Sequence, residues 1–266
     1  PTSDKDRRSK TDKNDSRKIA QSLSAGLLES IYIPTLEEEE RRSLVRHRDE
    51  LVKNSTRIKN QLKSFLKQHG IKYPEEFTDS RRHWSGNFIK WLNKIKLSTH
   101  YGTMTLQSLL HSLEFLRSEL STINKELRAM SETEELNNTI SILKSIPGIG
   151  LINALTIQTE IMDIQRFSSS DKYISYAGVS PTERSSGENR HIGHLNRRCN
   201  NRLRKVFIEA SWIAIKRDPA LEKYFLESSN KIGKVKSIVK VARKLANRTR
   251  YLLLNNEKYI FNKQAA

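Results

Sequence analysis

The sequence predicts a mainly α protein with little β structure, in which a long antiparallel coiled-coil arm joins a C-terminal α-helical domain. Two stretches, Leu36 to Gly70 and Leu106 to Met130, repeat apolar residues in steps of three, four and seven, the spacing of a helix that packs on another helix. A third, Ile146-Pro147-Gly148-Ile149-Gly150, sets two glycines in a tight turn between apolar-periodic segments. That pattern is typical of a helix-hairpin-helix.

The composition points to a polyanionic partner. Lys and Arg number 48 against 30 Asp and Glu, which gives the 266-residue chain a formal net charge of +18. Such a balance favours nucleic acid, because bound cations release the counterions condensed on phosphates. The alternative is a basic protein whose charge serves solubility alone. With Cys199 as its single cysteine, the chain cannot form an intramolecular disulfide.

The hydropathy pattern bears on location. No apolar run approaches the roughly 18 residues that a membrane span needs, and no signal-peptide pattern precedes the polar start. We therefore expect no membrane partner and a cytoplasmic location. Because the chain begins at Pro1 and directly enters a charged segment, we expect it to be a fragment or a product with its front removed.

The first predicted domain, residues 1–34, contains a candidate metal site. Residues 11–15 lead into apolar residues spaced for one face of a helix that a capping residue begins. Asp12 and Asp15 are three apart, so both carboxylates project from one side of such a helix and could share a divalent cation. The alternative is that they only favour the positive end of the helix dipole.

The second predicted domain, residues 35–135, is the arm. Its first helix repeats apolar residues every seven positions and ends at Gly70. Its second carries a strict a/d seam made of Leu106, Leu109, Leu113, Leu116, Leu120, Ile123, Leu127 and Met130. Because the connection lets the chain double back, an antiparallel hairpin is the economical arrangement. The arm could contact another copy, grip nucleic acid or act as a spacer.

The third predicted domain, residues 136–266, holds the candidate nucleic-acid site. N–H groups near Gly148 and Gly150 could hold a DNA phosphate without reading bases, or the turn could be purely structural. The polar stretch 179–195 is either a strand hairpin or an irregular active loop. Its potential phosphate ligands are Arg184, Ser185, Ser186, Arg190, His191 and His194. A helix expected from Asn196 carries Arg197, Arg198, Arg202 and Lys205 on a basic face.

Three motifs, in this order, resemble insertion-sequence transposases often called the IS-one-ten group, which act as DNA recombinases guided by a bridge RNA. They read Lys10-Thr11-Asp12-Lys13-Asn14-Asp15, Ser145-Ile146-Pro147-Gly148-Ile149-Gly150 and Tyr176-Ala177-Gly178-Val179-Ser180-Pro181. The resemblance covers nearly the whole chain. It implies a ruvC-like domain with four acidic metal ligands, then a coiled coil, then a transposase domain with a serine nucleophile.

The same resemblance implies roles for individual residues. Asp12 and Asp15 match the last acidic pair of the metal site and would share Mg²⁺ with acidic residues missing from this chain. The nucleophile lies five residues after the motif's proline and just before a glycine, which makes it Ser186. DNA, a guide RNA and a homo-oligomer, either a dimer or a tetramer, are the implied partners.

Two departures from the family pattern accompany this match. The strand-rich front of the ruvC-like domain is absent from the chain, and Cys199 stands where the family commonly has glycine.

Three functions compete at this point. The first is a transposase that exchanges DNA strands through a serine-DNA covalent intermediate, with Arg184, Arg190 and Arg197 supplying positive charge to the reacting phosphate. The second is a non-catalytic nucleic-acid-binding remnant of such a transposase. The third, a serine hydrolase that uses a nearby histidine, is disfavoured because no G-x-S-x-G elbow surrounds Ser186.

Overall fold

The computed structural model describes residues 11–28, 30–186, 189–196 and 198–260. Within these ranges the chain forms ten α-helices and one two-stranded antiparallel sheet, so the predicted mainly α fold is confirmed. The chain divides into two units, Pro1–Thr35 and Leu36–Ala266.

The first unit contains helix α1 (Asp12–Ser24). The Thr11 hydroxyl accepts a hydrogen bond from the N–H of Asn14 at 3.3 Å, which caps the helix start as the sequence predicted. Two of the predicted apolar positions, Leu27 and Leu28, lie beyond the end of the helix. The side chains of Ile19 and Leu23 are more than half exposed, so the apolar face of α1 is not buried within this unit.

The second unit begins with the arm. Helices α2 (Leu36–Gln68) and α4 (His100–Ser131) are its long members. They run antiparallel, because the start of α2 shares a buried cluster with the end of α4, whereas the end of α2 packs with the start of α4. The pairing of two long antiparallel helices agrees with the sequence, and their supercoiling as a coiled coil remains a prediction.

The arm ends in an aromatic cap. Two 3₁₀ turns (Glu75–Phe77 and Ser80–Arg82) and helix α3 (Gly86–Lys94) connect the long helices. Phe88 of α3 is fully buried and packs with the helix ends. This third layer explains a difference from the predicted seam: Leu110, which the a/d pattern omitted, is buried at 1% exposure because α4 is covered on a broader face here.

The remaining elements form an α-rich body around one core. In chain order they are α5 (Glu134–Ser145), α6 (Leu151–Ile161), α7 (Ser170–Ala177), β1 (Pro181–Ser186), β2 (Asn189–Leu195), α8 (Asn201–Ala214), α9 (Pro219–Ile232) and α10 (Lys234–Asn255). Leu155 of α6, Phe207 of α8 and Leu245 of α10 are fully buried in a cluster that continues into the base of the arm. The arm and the body therefore share one hydrophobic core.

The start of α8 corrects one prediction. The sequence suggested a helix from Asn196, but α8 begins at Asn201, where the Asn200 side chain accepts hydrogen bonds from the N–H groups of Arg202 and Leu203. Asparagine is a strong N-cap, and this cap delays the helix by five residues. Arg198 is consequently exposed in a bend before α8 rather than on a basic helix face.

Candidate serine hairpin and nucleic-acid interface

The two glycines of the α5–α6 turn have different structural roles. Gly148 has φ +86°, and a Cβ placed there would lie 2.3 Å from the backbone oxygen of Ala210 in α8. Gly150 has φ −89° as the N-cap of α6, and a Cβ there would meet nothing within 4 Å. Close packing on α8 thus requires glycine at 148, whereas position 150 has open space.

The N-terminus of α6 faces a basic cavity. The cavity, about 440 Å³, is lined by Gly150, Leu151, Ile152, Asn153, Arg48, Asn124 and Arg128. Arg48 of α2 donates to the Asn124 side chain of α4 at 3.0 Å. The first N–H groups of a helix lack intrahelical acceptors and carry the positive end of its dipole. Together with two arginines, this end of α6 has the chemistry to hold an anion.

The polar stretch after α7 folds as a β-hairpin, one of the two forms expected for it. Its backbone pairs are Pro181–Leu195, Glu183–Ile192, Arg184–His191, Ser185–Arg190 and Ser186–Asn189, with a register shift between Pro181 and Glu183. Ser186 therefore stands at the last pair of the ladder, at the turn end of the hairpin. Gly187 and Arg197, which the sequence also assigned to this region, lie outside the described residues.

The base of the hairpin is fastened between α7 and α8. Arg204 of α8 donates from Nε to the carbonyl oxygen of Gly178 at 2.7 Å and from Nη2 to that of Asn196. These two acceptors flank the strands, so one guanidinium joins both ends of the hairpin. Gly178 has φ +71°, and a Cβ there would lie 2.4 Å from the sulfur of Cys199.

In the sequence, Arg204 stands in a basic run with Arg202 and Lys205, and its bridging role was not predicted. No local pattern distinguishes it from its basic neighbours. Cys199, which stands where the family commonly has glycine, packs against this same arginine, with Sγ 2.8 Å from Nη2.

A buried carboxylate links the arm to the hairpin base. Glu160 of α6 is 1% exposed, and both of its side-chain oxygens accept hydrogen bonds from Arg46 of α2 at 2.7 Å. Asn200, the cap of α8, donates to the same carboxylate at 2.7 Å. Burial by itself raises the pKa of Glu160, but the hydrogen bonds from Arg46 and Asn200 and the charge of Arg202 outweigh it, so the pKa lies below its ordinary value.

The sequence contains a signal for this buried carboxylate. Glu160 is the single charged residue of the α6 sequence LINALTIQTEI. A charged residue in a helix that is otherwise apolar or uncharged is almost always paired when buried.

Arg202, which the sequence proposed for nucleic-acid binding, is engaged by carboxylates. Its guanidinium lies 2.9 Å from Asp49, 3.6 Å from Glu50 and 3.8 Å from Glu160. It lines, with Arg46 and the exposed Arg198, a cavity of about 630 Å³ beside the hairpin base. These contacts hold α8 against α2 and α6, so the Arg202 guanidinium is engaged within the protein.

Asp12 and Asp15 lie in the first turn of α1, three residues apart as predicted. Two carboxylates are a donor set that suits Mg²⁺, which is commonly held by one or two carboxylates and keeps several waters. Among the described residues, no group of three or more His, Cys, Asp and Glu could hold a metal. The two aspartates fit part of a magnesium site and do not form a complete one there.

No helix in the described ranges is long and apolar enough to cross a membrane.

Comparisons with known proteins agree with the motifs. A family model described as "Transposase IS116/IS110/IS902 family" matches residues 140–226. A second transposase model, of the IS110 DEDD type, matches residues 2–71. These two ranges together cover more than half of the chain and contain Asp12, Asp15, the two-glycine turn and the hairpin.

Individual relatives also point to a transposase. The chain is 27% identical over 205 residues to the putative transposase y4qE of Sinorhizobium fredii, covering 77% of this chain and 48% of the relative. It is 26% identical over 207 residues to the transposase for insertion sequence element IS1111A of Coxiella burnetii, covering 76% of this chain and 54% of the relative. The chain thus spans about half the length of these relatives. Two family models in chain order, together with these relatives, show that the chain belongs to the IS116/IS110/IS902 family of transposases.

Proposed function

We propose that this chain binds DNA and takes part in strand exchange for an insertion sequence, with Ser186 as the nucleophile. One observation carries the proposal. Ser186 closes the ladder at the turn end of a hairpin whose base is fastened by Arg204, so the serine lies on a paired and anchored element. A nucleophile needs such support, because functional sites are more precise on rigid elements than on free loops.

The proposed reaction is transfer of a phosphoryl group from DNA to serine and then to a second DNA end. The Ser186 oxygen forms a bond to phosphorus while the bond from phosphorus to one strand oxygen breaks, and the hydroxyl proton passes to a base. The released strand oxygen takes up a proton and leaves as a hydroxyl. In the second step, a hydroxyl of the other strand gives its proton to a base and bonds to phosphorus, while the bond from phosphorus to the serine oxygen breaks and that oxygen takes up a proton.

Charge for this reaction comes from two sources in the proposal. Arg184 and Arg190 on the two strands, with Arg197, would stabilise negative charge on the phosphate oxygens. Mg²⁺ held by Asp12 and Asp15, with further carboxylates, would supply positive charge for phosphoryl transfer, as the family resemblance implies. A guide RNA and a homo-oligomer complete the proposal and rest on the family resemblance, and the location remains the cytoplasmic one expected from the hydropathy pattern.

DNA binding is supported by the α6 end of the two-glycine turn. The cavity between the first residues of α6 and the side chains of Arg48 and Arg128 suits a backbone phosphate, which such a turn holds without reading bases. Gly150 leaves open space there, so the phosphate can approach the backbone. Gly148 supports this site indirectly, by packing the turn against α8.

The nucleophile is tested with two neighbouring serines. Purified protein is incubated with Mg²⁺, candidate guide RNA and labelled insertion-sequence ends, and covalent protein-DNA adducts are detected on a denaturing gel. We expect Ser186→Ala to abolish the adduct while leaving DNA affinity nearly unchanged, because one hydroxyl contributes little to an interface of phosphate contacts. Ser185→Ala is the matched control and should retain the adduct. An adduct that survives Ser186→Ala, or that disappears with Ser185→Ala alone, assigns the nucleophile elsewhere.

A non-catalytic DNA-binding role is the second candidate. It is favoured by the absence, among the described residues, of a group of three or more metal-ligating side chains. It predicts salt-dependent DNA binding with no adduct for the unaltered chain under any Mg²⁺ or guide-RNA condition.

A further inference from the structure

Three cations converge on one tryptophan at the tip of the arm. The ammonium groups of Lys59 and Lys63, one turn apart on α2, lie 5.7 and 5.9 Å from the centre of the Trp84 ring. Arg117 of α4 donates to the Trp84 carbonyl oxygen at 3.4 Å. No carboxylate of the described residues pairs with any of the three. The pKa of Lys59 lies below its ordinary value, through burial first and then through repulsion by Arg117.

These cations continue a stripe that starts at the α6 cavity. On an α-helix of 100° per residue, Arg48, Lys59 and Lys63 fall within about 60° of one another on α2, and Arg117, Asn124 and Arg128 within about 40° on α4. Both stripes lie on one side of the helix pair. At the body end Arg48 bonds Asn124 across the pair, and at the tip both helices contact Trp84.

Few carboxylates interrupt this face. From Leu51 to Gln68, α2 contains no Asp or Glu at all. The acids at its base are already paired. Asp49 lies 2.9 Å from Arg202 and 3.6 Å from Arg48, and Glu50 lies 2.7 Å from Lys53 and 3.6 Å from Arg202. On α4, helical geometry places Glu119 and Glu126 about 160 to 180° from Arg117 around the helix axis. Glu114 lies about 60° from Arg117, at the edge of the stripe.

We propose that this basic face, from the α6 cavity to Trp84, is a track for the phosphate backbone of double-stranded DNA. It rests on the proposed DNA binding and extends it from one phosphate site to the whole arm. The stripe is about 16 Å long on α4 and about 22 Å long on α2, at 1.5 Å per residue. A duplex rises 3.4 Å per base pair, so the track spans roughly five to seven base pairs.

The aromatic cap distinguishes a duplex from a single strand. Single-strand binders stack bases on free aromatic faces. Here the Trp84 ring has two lysines near it and packs edge-on against Phe88 at 5.4 Å, so its faces are not a free stacking platform. The cations point instead to phosphates, and a pair of long antiparallel helices suits the stiff, regular backbone of a duplex.

Two double variants on the same helix test the track. Lys59→Gln with Lys63→Gln removes two charges from the face. Lys53→Gln with Arg57→Gln is the control: it removes the same net charge at positions that helical geometry places more than 100° from the middle of the stripe, and Lys53 is already paired with Glu50 at 2.7 Å. Affinity for a duplex of about 25 base pairs is measured by fluorescence anisotropy between about 50 and 200 mM salt. Thermal unfolding of each variant confirms that the arm remains folded.

The expected result follows from counterion release. Each lost phosphate contact lowers the slope of log affinity against log salt by about 0.9, so the track variant should lose nearly 2 from the slope and roughly 10- to 100-fold in affinity. The control should change the slope by less than about 0.5. Adding Arg117→Gln to the track variant should lower the slope again.

The outcomes separate this inference from the proposed function. Wild-type protein without salt-dependent duplex binding would overturn the proposed DNA binding itself. If wild-type affinity falls steeply with salt, and the track and control variants show the same slope as each other, the track is overturned and DNA binding at the α6 site is left intact. A loss seen with an RNA duplex and not with DNA would also overturn the track as stated.

Discussion

Replacing Gly148 by alanine tests how the two-glycine turn is built. Gly148 has φ +86°, and its Cα faces the backbone of Ala210, a fully buried residue of α8. An added Cβ would lie 2.3 Å from the Ala210 oxygen and 2.9 Å from its carbonyl carbon. Both are backbone atoms in a helix, so neither can rotate away as a flexible side chain would.

The magnitude has two parts. Holding an alanine in the left-handed region costs about 1–2 kcal/mol. Forcing a methyl group into a packed contact adds about 1–3 kcal/mol as α6 and α8 separate. We therefore expect Gly148→Ala to lower the free energy of unfolding by roughly 2–5 kcal/mol, which for a unit of this size corresponds to a fall in melting temperature of about 4–20 °C.

Gly150→Ala is the matched control in the same turn. Its φ of −89° suits alanine and a Cβ there meets nothing within 4 Å. Alanine is a poorer N-cap by some tenths of a kcal/mol, which its lower entropy in the unfolded chain offsets, so we expect a change within about 0.5 kcal/mol. Thermal unfolding by circular dichroism measures both variants. Equal melting temperatures for Gly148→Ala and wild type would refute the packing of this turn on α8.

Three further predictions concern buried ionic groups. Glu160→Gln should lower the free energy of unfolding by roughly 3 kcal/mol at neutral pH, because it leaves Arg46 without its charged partner. Measured by urea unfolding, the variant should also lose less stability than wild type as the pH falls. The sign follows from a pKa held below its ordinary value: the stabilisation is complete above about pH 5 and is lost as pH falls through the folded pKa. In the same assay, Asp218→Asn should lower the free energy of unfolding by less than Asp218→Ala does, because asparagine keeps the cap of α9 and loses only the charge that faces Arg248. Equal decreases for the two variants would mean that the cap contributes nothing. Arg204→Lys should leave the melting temperature within a few degrees and yet increase amide hydrogen exchange in the hairpin, because one ammonium cannot bridge Gly178 and Asn196 as a guanidinium does; unchanged exchange would contradict the bridging role.

Periodic elements could be predicted from the sequence, and long-range contacts could not. The heptad spacing was sufficient for α2 and α4, because a buried stripe on a helix leaves its period in the sequence. The need for glycine at 148 depends on Ala210, a residue 62 positions away, and no local pattern encodes that approach. The sequence leaves the hairpin open between two forms because the polar stretch 179–195 lacks the apolar–polar alternation that identifies strands.

The same difference between local pattern and long-range contact applies to the candidate site. Its positions in sequence, such as Ser186 after Pro181, followed from motif spacing. The partners of its charged groups did not, since a basic run looks the same whether its members face DNA or carboxylates. Arg204 and Arg202 lie two residues apart on α8, yet one bonds backbone oxygens at the hairpin base and the other bonds Asp49 on the arm.

Net charge and available charge are therefore different quantities in this protein. Arg46 and Arg202, which line the cavity of about 630 Å³, are already neutralised by Glu160 and Asp49, and contacting a phosphate would require them to exchange partners. Lys59 and Lys63 face no carboxylate among the described residues, so a phosphate would meet them without that exchange. Binding energy from counterion release should then come mainly from the arm and the α6 cavity. The cluster around Glu160 should contribute rigidity between the arm and the hairpin, because its bonds join α2, α6 and α8 at one buried point.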